Sequence, residues 1–105
     1  MVKAIVTKHD NMYVSFKCEG HAGFARKGKD IVCAAISALT TTTLNSIEQL
    51  TSCPFKGSAN DGFLEWEFID GCDERATLLM DSLIIGLNQI SNEYSKLLRL
   101  EIREV

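Results

Sequence analysis

Two stripes of apolar residues at helical spacing, one in each half of the chain, constrain the fold more than any other feature. Val32, Ile36, Leu39, Thr43, Ile47 and Leu50 follow one another at intervals of three or four, and Ala76, Met80, Leu83, Leu87, Ile90 and Tyr94 repeat the pattern. Each stripe predicts an amphipathic helix that must bury one side against another layer. Asp30 stands where the first helix needs an N-cap, and Pro54 sets its far limit. The second helix is expected over about Asp73–Ser95, with Asp73 and Glu74 in its first turn and Leu78 and Ile85 on the opposite face. Between and around these helices run segments with the alternation of strands. Residues 2–7 and 12–18 read as a hairpin across the polar turn Lys8–Asn11, with Met12, Val14, Phe16 and Cys18 on one face. Ser58–Gly62 reads as a turn, and Phe63–Ile69 as a strand with Leu64, Trp66 and Phe68 inward. Leu98–Val105 reads as a last strand that buries Leu98, Leu100 and Ile102. One apolar face per strand calls for a sheet covered on one side only. The expected architecture is α+β, a two-layer sandwich in ββαβαβ order. Its four-stranded sheet is mixed or mostly antiparallel, with two helices on one face, in a single domain over 1–105.

Composition narrows the class of function. With 105 residues, 46% of them hydrophobic, the chain can bury one core without staples. The net charge of −3 lacks the basic footprint of a nucleic-acid binder. No uninterrupted apolar run reaches the ~18 residues of a membrane span, and Met1–Thr7 has no long apolar h-region. These features lead to the expectation of a cytoplasmic protein with no nucleic-acid or membrane partner. The four cysteines, Cys18, Cys33, Cys53 and Cys72, then sit in a reducing compartment. No two have the CxxC spacing of a structural zinc site, so no metal is expected, and a disulfide framework does not suit a cytosolic chain. A buried hydrophobe is the ordinary role for each.

Cys33 departs from that role. It falls at the third helical residue after the Asp30 cap, where free N–H groups and the positive end of the helix dipole meet. A thiolate is stabilised at such a position and becomes nucleophilic. Cys72, immediately before the second helix, is the nearest rival. His21 opens the glycine-rich stretch Gly20–Lys29, which reads as a loop able to fold back toward that helix end. Cysteine and histidine together are the minimal pair for acyl transfer. The N–H groups of the first turn, including that of Cys33, are placed to bind an oxyanion. Asp30 either caps the helix only or also orients His21. Ser37, one turn beyond Cys33, either approaches the site or packs between helices. His9 reads as a turn residue. Arg26, Lys27 and Lys29 read as a solvated loop or as a clamp on a substrate.

Gly20-His21-Ala22, followed by Asp30-Ile31-Val32-Cys33-Ala34-Ala35-Ile36-Ser37-Ala38-Leu39, resembles the ribosomal-processing cysteine protease family, Prp. The hairpin before this motif, the Gly-Phe-Leu-Glu-Trp strand and the long second helix extend the resemblance over nearly the whole chain. The resemblance implies a thiol protease without cofactor that removes the N-terminal extension of the large-subunit ribosomal protein numbered 27. It implies Cys33 as nucleophile and His21 as general base. It further implies that a substrate loop including Gly20, Ala22, Gly23 and Gly28 orders over the peptide, and that the enzyme is a homodimer. Leu78 and Ile85 are an independent hint of a partner surface. The alternative is a non-catalytic ribosome-assembly or ribosomal-protein-binding module of the same fold, with Cys33 merely packed. A redox thiol protein would need a resolving cysteine, and none lies close to Cys33 in sequence.

Overall fold

The structure is a computed structural model and describes residues 1–21 and 30–105. The elements are β1 (Val2–His9), β2 (Met12–Glu19), α1 (Ile31–Leu50), β3 (Phe55–Asn60), β4 (Phe63–Phe68), α2 (Glu74–Glu93) and β5 (Leu98–Glu104). The order is thus ββαββαβ, and the mixed sheet has five strands arranged β3-β4-β2-β1-β5. This corrects the expected four strands and ββαβαβ order. The missed element is β3, an edge strand whose residues after Phe55 are all exposed. Its inward positions are Phe55, Gly57 and Ala59, facing Phe68, Trp66 and Leu64 of β4. Two of the three are too small to produce an alternating hydrophobic signal. β1 pairs antiparallel with β2 and parallel with β5.

The turn between β1 and β2 carries positive φ at both Asp10 (50°) and Asn11 (65°). That is the pattern of a type I′ hairpin, which twists with its strands. The register shifts between Thr7 and Lys8, where Lys8 pairs with Tyr13 although Thr7 pairs with Ser15. The bulge puts Tyr13 on the core face beside Phe16 and Cys18 and leaves Met12 exposed. Met12 therefore does not join the apolar face expected of it. Tyr13 reaches across to donate a hydrogen bond to the Asp81 carboxylate on α2. Burial and then Asp81 push its phenol above the ordinary tyrosine range.

Both helices lie on the same face of the sheet and share one core with it. Val32, Ile36 and Ile47 of α1 and Ala76, Met80, Leu83 and Leu87 of α2 pack with Val2, Val6, Phe16, Trp66 and Leu98. The Phe16 and Trp66 rings meet with centroids 4.6 Å apart. Complete burial of aromatic and aliphatic side chains of this size contributes about 1.5–3 kcal/mol each. The two helices approach closely at Gly86, where a Cβ would lie 2.9 Å from Leu39 Cδ1. By length and composition α1 is apolar enough to cross a membrane, yet its apolar stripe lies in this core. Its buried threonines are satisfied within the helix: Thr40 and Thr43 donate to the Ile36 and Leu39 carbonyls at 2.9 and 2.7 Å. Leu50, expected on the stripe, is exposed at the helix end. Ile102, expected in the core, is 50% exposed where β5 runs along the sheet edge.

Candidate active site

A cleft of about 610 Å³ opens where three pieces of chain converge. They are the end of β2, the first turns of α1, and the β3–β4 turn. Cys18, Gly20, His21, Cys33, Ser37 and Gly62 are among its walls. Cys33 is partly buried and His21 is exposed. Cys33 Sγ lies 4.0 Å from His21 Nδ1. The fold therefore brings together the thiol and imidazole singled out by sequence, although twelve positions separate them.

Each side of the pair is held by main-chain geometry. Asp30 takes extended backbone angles as the N-cap of α1. Its Oδ1 accepts from the Val32 and Cys33 N–H groups at 2.9 and 3.0 Å. Such a cap contributes about 1 kcal/mol and fixes where the helix begins. The Cys33 N–H is occupied by Asp30 Oδ1, and the Ala34 N–H donates to the Asp30 carbonyl at 3.0 Å. The Val32, Cys33 and Ala34 amides are thus engaged in holding the helix start. Ser37 is exposed and lines the cleft one turn beyond Cys33, so it is not packed between the helices.

On the other side, Gly20 has φ 105°, and a Cβ there would sit 2.4 Å from the Met1 carbonyl oxygen. Only glycine fits this left-handed, crowded position. Gly20 was expected as part of a substrate loop; the structure gives it this tight contact just after the end of β2. Its N–H donates to the Gly62 carbonyl at 2.8 Å, and the Met1 amine donates to the His21 carbonyl at 2.7 Å. Met1 and Gly62 were not singled out by sequence. Gly62 was submerged in a five-residue turn signal. Ala22, Gly23 and Gly28, and with them Arg26, Lys27 and Lys29, lie outside the described residues.

The other thiols differ from Cys33 by burial. All four cysteines are free, and Cys18, Cys53 and Cys72 are buried. Burial pushes the Cys18 and Cys72 thiols up from 9.0 to about 11. Cys72, the sequence rival, is therefore a core residue held neutral. Cys18 lies in the same cleft as Cys33, a proximity invisible in sequence, but as a neutral thiol it is a poor attacking group. Iodoacetamide at pH 8 is expected to label Cys33 while Cys18 and Cys72 stay unmodified, as read by mass spectrometry of digested protein. Among the described residues, no three His, Cys, Asp or Glu side chains are grouped to hold a metal ion.

The sequence and the fold are both similar to those of known proteins. The Ribosomal processing cysteine protease Prp of Bacillus subtilis is 32% identical over 106 aligned positions, covering 94% of this chain and 95% of that protein. The protein of the same name from Staphylococcus aureus is 31% identical over 87 positions, covering 81% and 82%. A crystal structure of an essential ribosomal processing protease Prp from S. aureus, in complex with a covalently linked product peptide, superposes with a TM-score of 0.93 at 28% identity. It covers 98% of this chain and 100% of that one. A second S. aureus structure, with a substrate peptide, gives 0.87 at 27% identity with the same coverage. The sequence pattern described as Cysteine protease Prp matches residues 1–99, so this chain belongs to the cysteine protease Prp family.

Proposed function

We propose that this protein is a cysteine endopeptidase that removes the N-terminal extension of a large-subunit ribosomal protein, the one numbered 27, with Cys33 as nucleophile and His21 as general base. The observation that carries the reading is the 4.0 Å approach of Cys33 Sγ to His21 Nδ1 at the mouth of an open cleft. Family membership supports the reaction class, and the names of the relatives support the ribosomal substrate.

The chemistry follows from the placement. The extension lies in the cleft as an extended peptide. His21 takes the Cys33 proton, and Sγ attacks the scissile carbonyl carbon. The tetrahedral oxyanion needs a donor, and the Cys33 N–H is engaged by Asp30 Oδ1. The Ser37 hydroxyl, on the same cleft wall, is our candidate. Collapse breaks the C–N bond, and the imidazolium gives its proton to the leaving amine. Water, deprotonated by His21, then attacks the thioester and the C–S bond breaks, returning the thiol. Asp30 acts by fixing the helix start, and with it the position of Cys33.

The mildly acidic chain, at −3, suits a basic ribosomal protein as substrate. A cytoplasmic homodimer is part of the same proposal. It is supported by Leu78 and Ile85, which are 70% and 63% exposed on the side of α2 away from the core. The reading is tested by incubating the purified protein with the extended ribosomal protein and sequencing the products. A single cut releasing the N-terminal extension is expected. An uncut substrate under conditions where Cys33 is freely alkylated would leave only the binding-module alternative.

A further inference from the structure

We infer that Gly62, at the tip of the β3–β4 turn, is a positioning residue that seats the His21 ring against the hairpin and so aims Nδ1 at Cys33. This inference rests on the Cys33–His21 reading above.

Three observations converge on Gly62. Its φ is +71°, a left-handed value at the second residue of the two-residue turn, as a type II turn requires. Its carbonyl accepts the Gly20 N–H at 2.8 Å, tying the turn to the residue immediately before His21. A Cβ at Gly62 would lie 2.7 Å from His21 Nε2, 3.1 Å from Cε1 and 3.4 Å from Cδ2. The Nε2 edge of the ring thus rests in the space that the missing Cβ leaves open, while Nδ1, on the ring's other side, faces Sγ at 4.0 Å. The ring is the free end of a side chain, so a Cβ at position 62 would displace the imidazole and leave the backbone in place. The expected damage is to geometry at the site, and displacement of a reacting group by about 1 Å costs on the order of 10²-fold in rate.

Asparagine tolerates left-handed φ, so Gly62→Asn adds the Cβ with little backbone strain. Gly71→Asn is the matched control. Gly71 also has positive φ (+86°), and a Cβ there would meet only the flexible end of Met12, 2.8 Å from Sδ. Gly62→Ala is measured alongside, and all rates are normalised to the folded fraction from thermal melts. For Gly62→Asn, kcat/KM on the extended ribosomal-protein peptide is expected to fall roughly 10²-fold. The acid limb of its pH–rate profile should move by about half a unit or more, with Gly71→Asn within about threefold of wild type. A Gly62→Asn rate within about threefold of wild type, a loss equalled by Gly71→Asn, or a loss with an unmoved pH profile would overturn the inference. His21→Ala in the same series separates the two ideas. If His21→Ala is inactive while Gly62→Asn matches wild type, the seat alone falls. If His21→Ala cleaves normally, the pair falls and the seat with it.

Discussion

Cys33→Ala is expected to abolish cleavage of the extended ribosomal protein without unfolding the chain. Cys33 is partly buried on the first turn of α1 and only borders the core, so losing Sγ leaves no enclosed cavity. The helix start remains held by Asp30, which bonds the backbone of residues 32 and 33 and not the thiol. Cys33→Ser is expected to fail equally, because an alkoxide is far harder to form than a thiolate and the site is built around the larger sulfur. Both variants should melt close to wild type and still bind the extension. Cleavage by either at more than about a thousandth of the wild-type rate would show that the thiol is not the nucleophile.

Replacing His21 by alanine is expected to lower kcat by about three orders of magnitude, within the range for removal of a general base. The side chain is exposed and reaches Sγ through Nδ1, so the loss falls on proton transfer and not on folding. KM should change little. Added imidazole should restore part of the rate, with a dependence that follows its neutral form. A variant insensitive to imidazole and only a few-fold slowed would assign the proton transfer elsewhere.

The helices, the hairpin and the helix start beneath Cys33 were legible in the sequence because each left a local signature, whereas the choice of His21 as partner rested on the family resemblance of Gly20-His21-Ala22. The 4-3 spacing placed Val32, Ile36, Met80 and Leu87 in the core. Asp30, three positions before Cys33, marked the helix start on which the thiol sits. What was illegible depends on contacts between segments. β3 is a strand because β4 pairs with it, while its own inward residues Gly57 and Ala59 carry almost no hydrophobic signal. The bulge opposite Thr7 and Lys8 reverses the facing of Met12 and Tyr13, and no composition rule locates a bulge. The engagement of the Cys33 N–H by Asp30 was implicit in calling Asp30 a cap, and it removes that amide as a free oxyanion donor. The partnership of Gly62 with His21 joins residues 41 positions apart through a missing Cβ, which a sequence records only as one more glycine in a turn.

Whether Cys33 is the nucleophile is read directly with the extension peptide carrying a chloromethyl ketone in place of the scissile bond. Intact-mass and digest mass spectrometry then locate the adduct. A single adduct on Cys33 is expected, slowed by uncleaved substrate, with proteolytic activity lost in proportion to Cys33 modification. An adduct on another residue, or cleavage that continues once Cys33 is fully modified, would contradict Cys33 as the nucleophile.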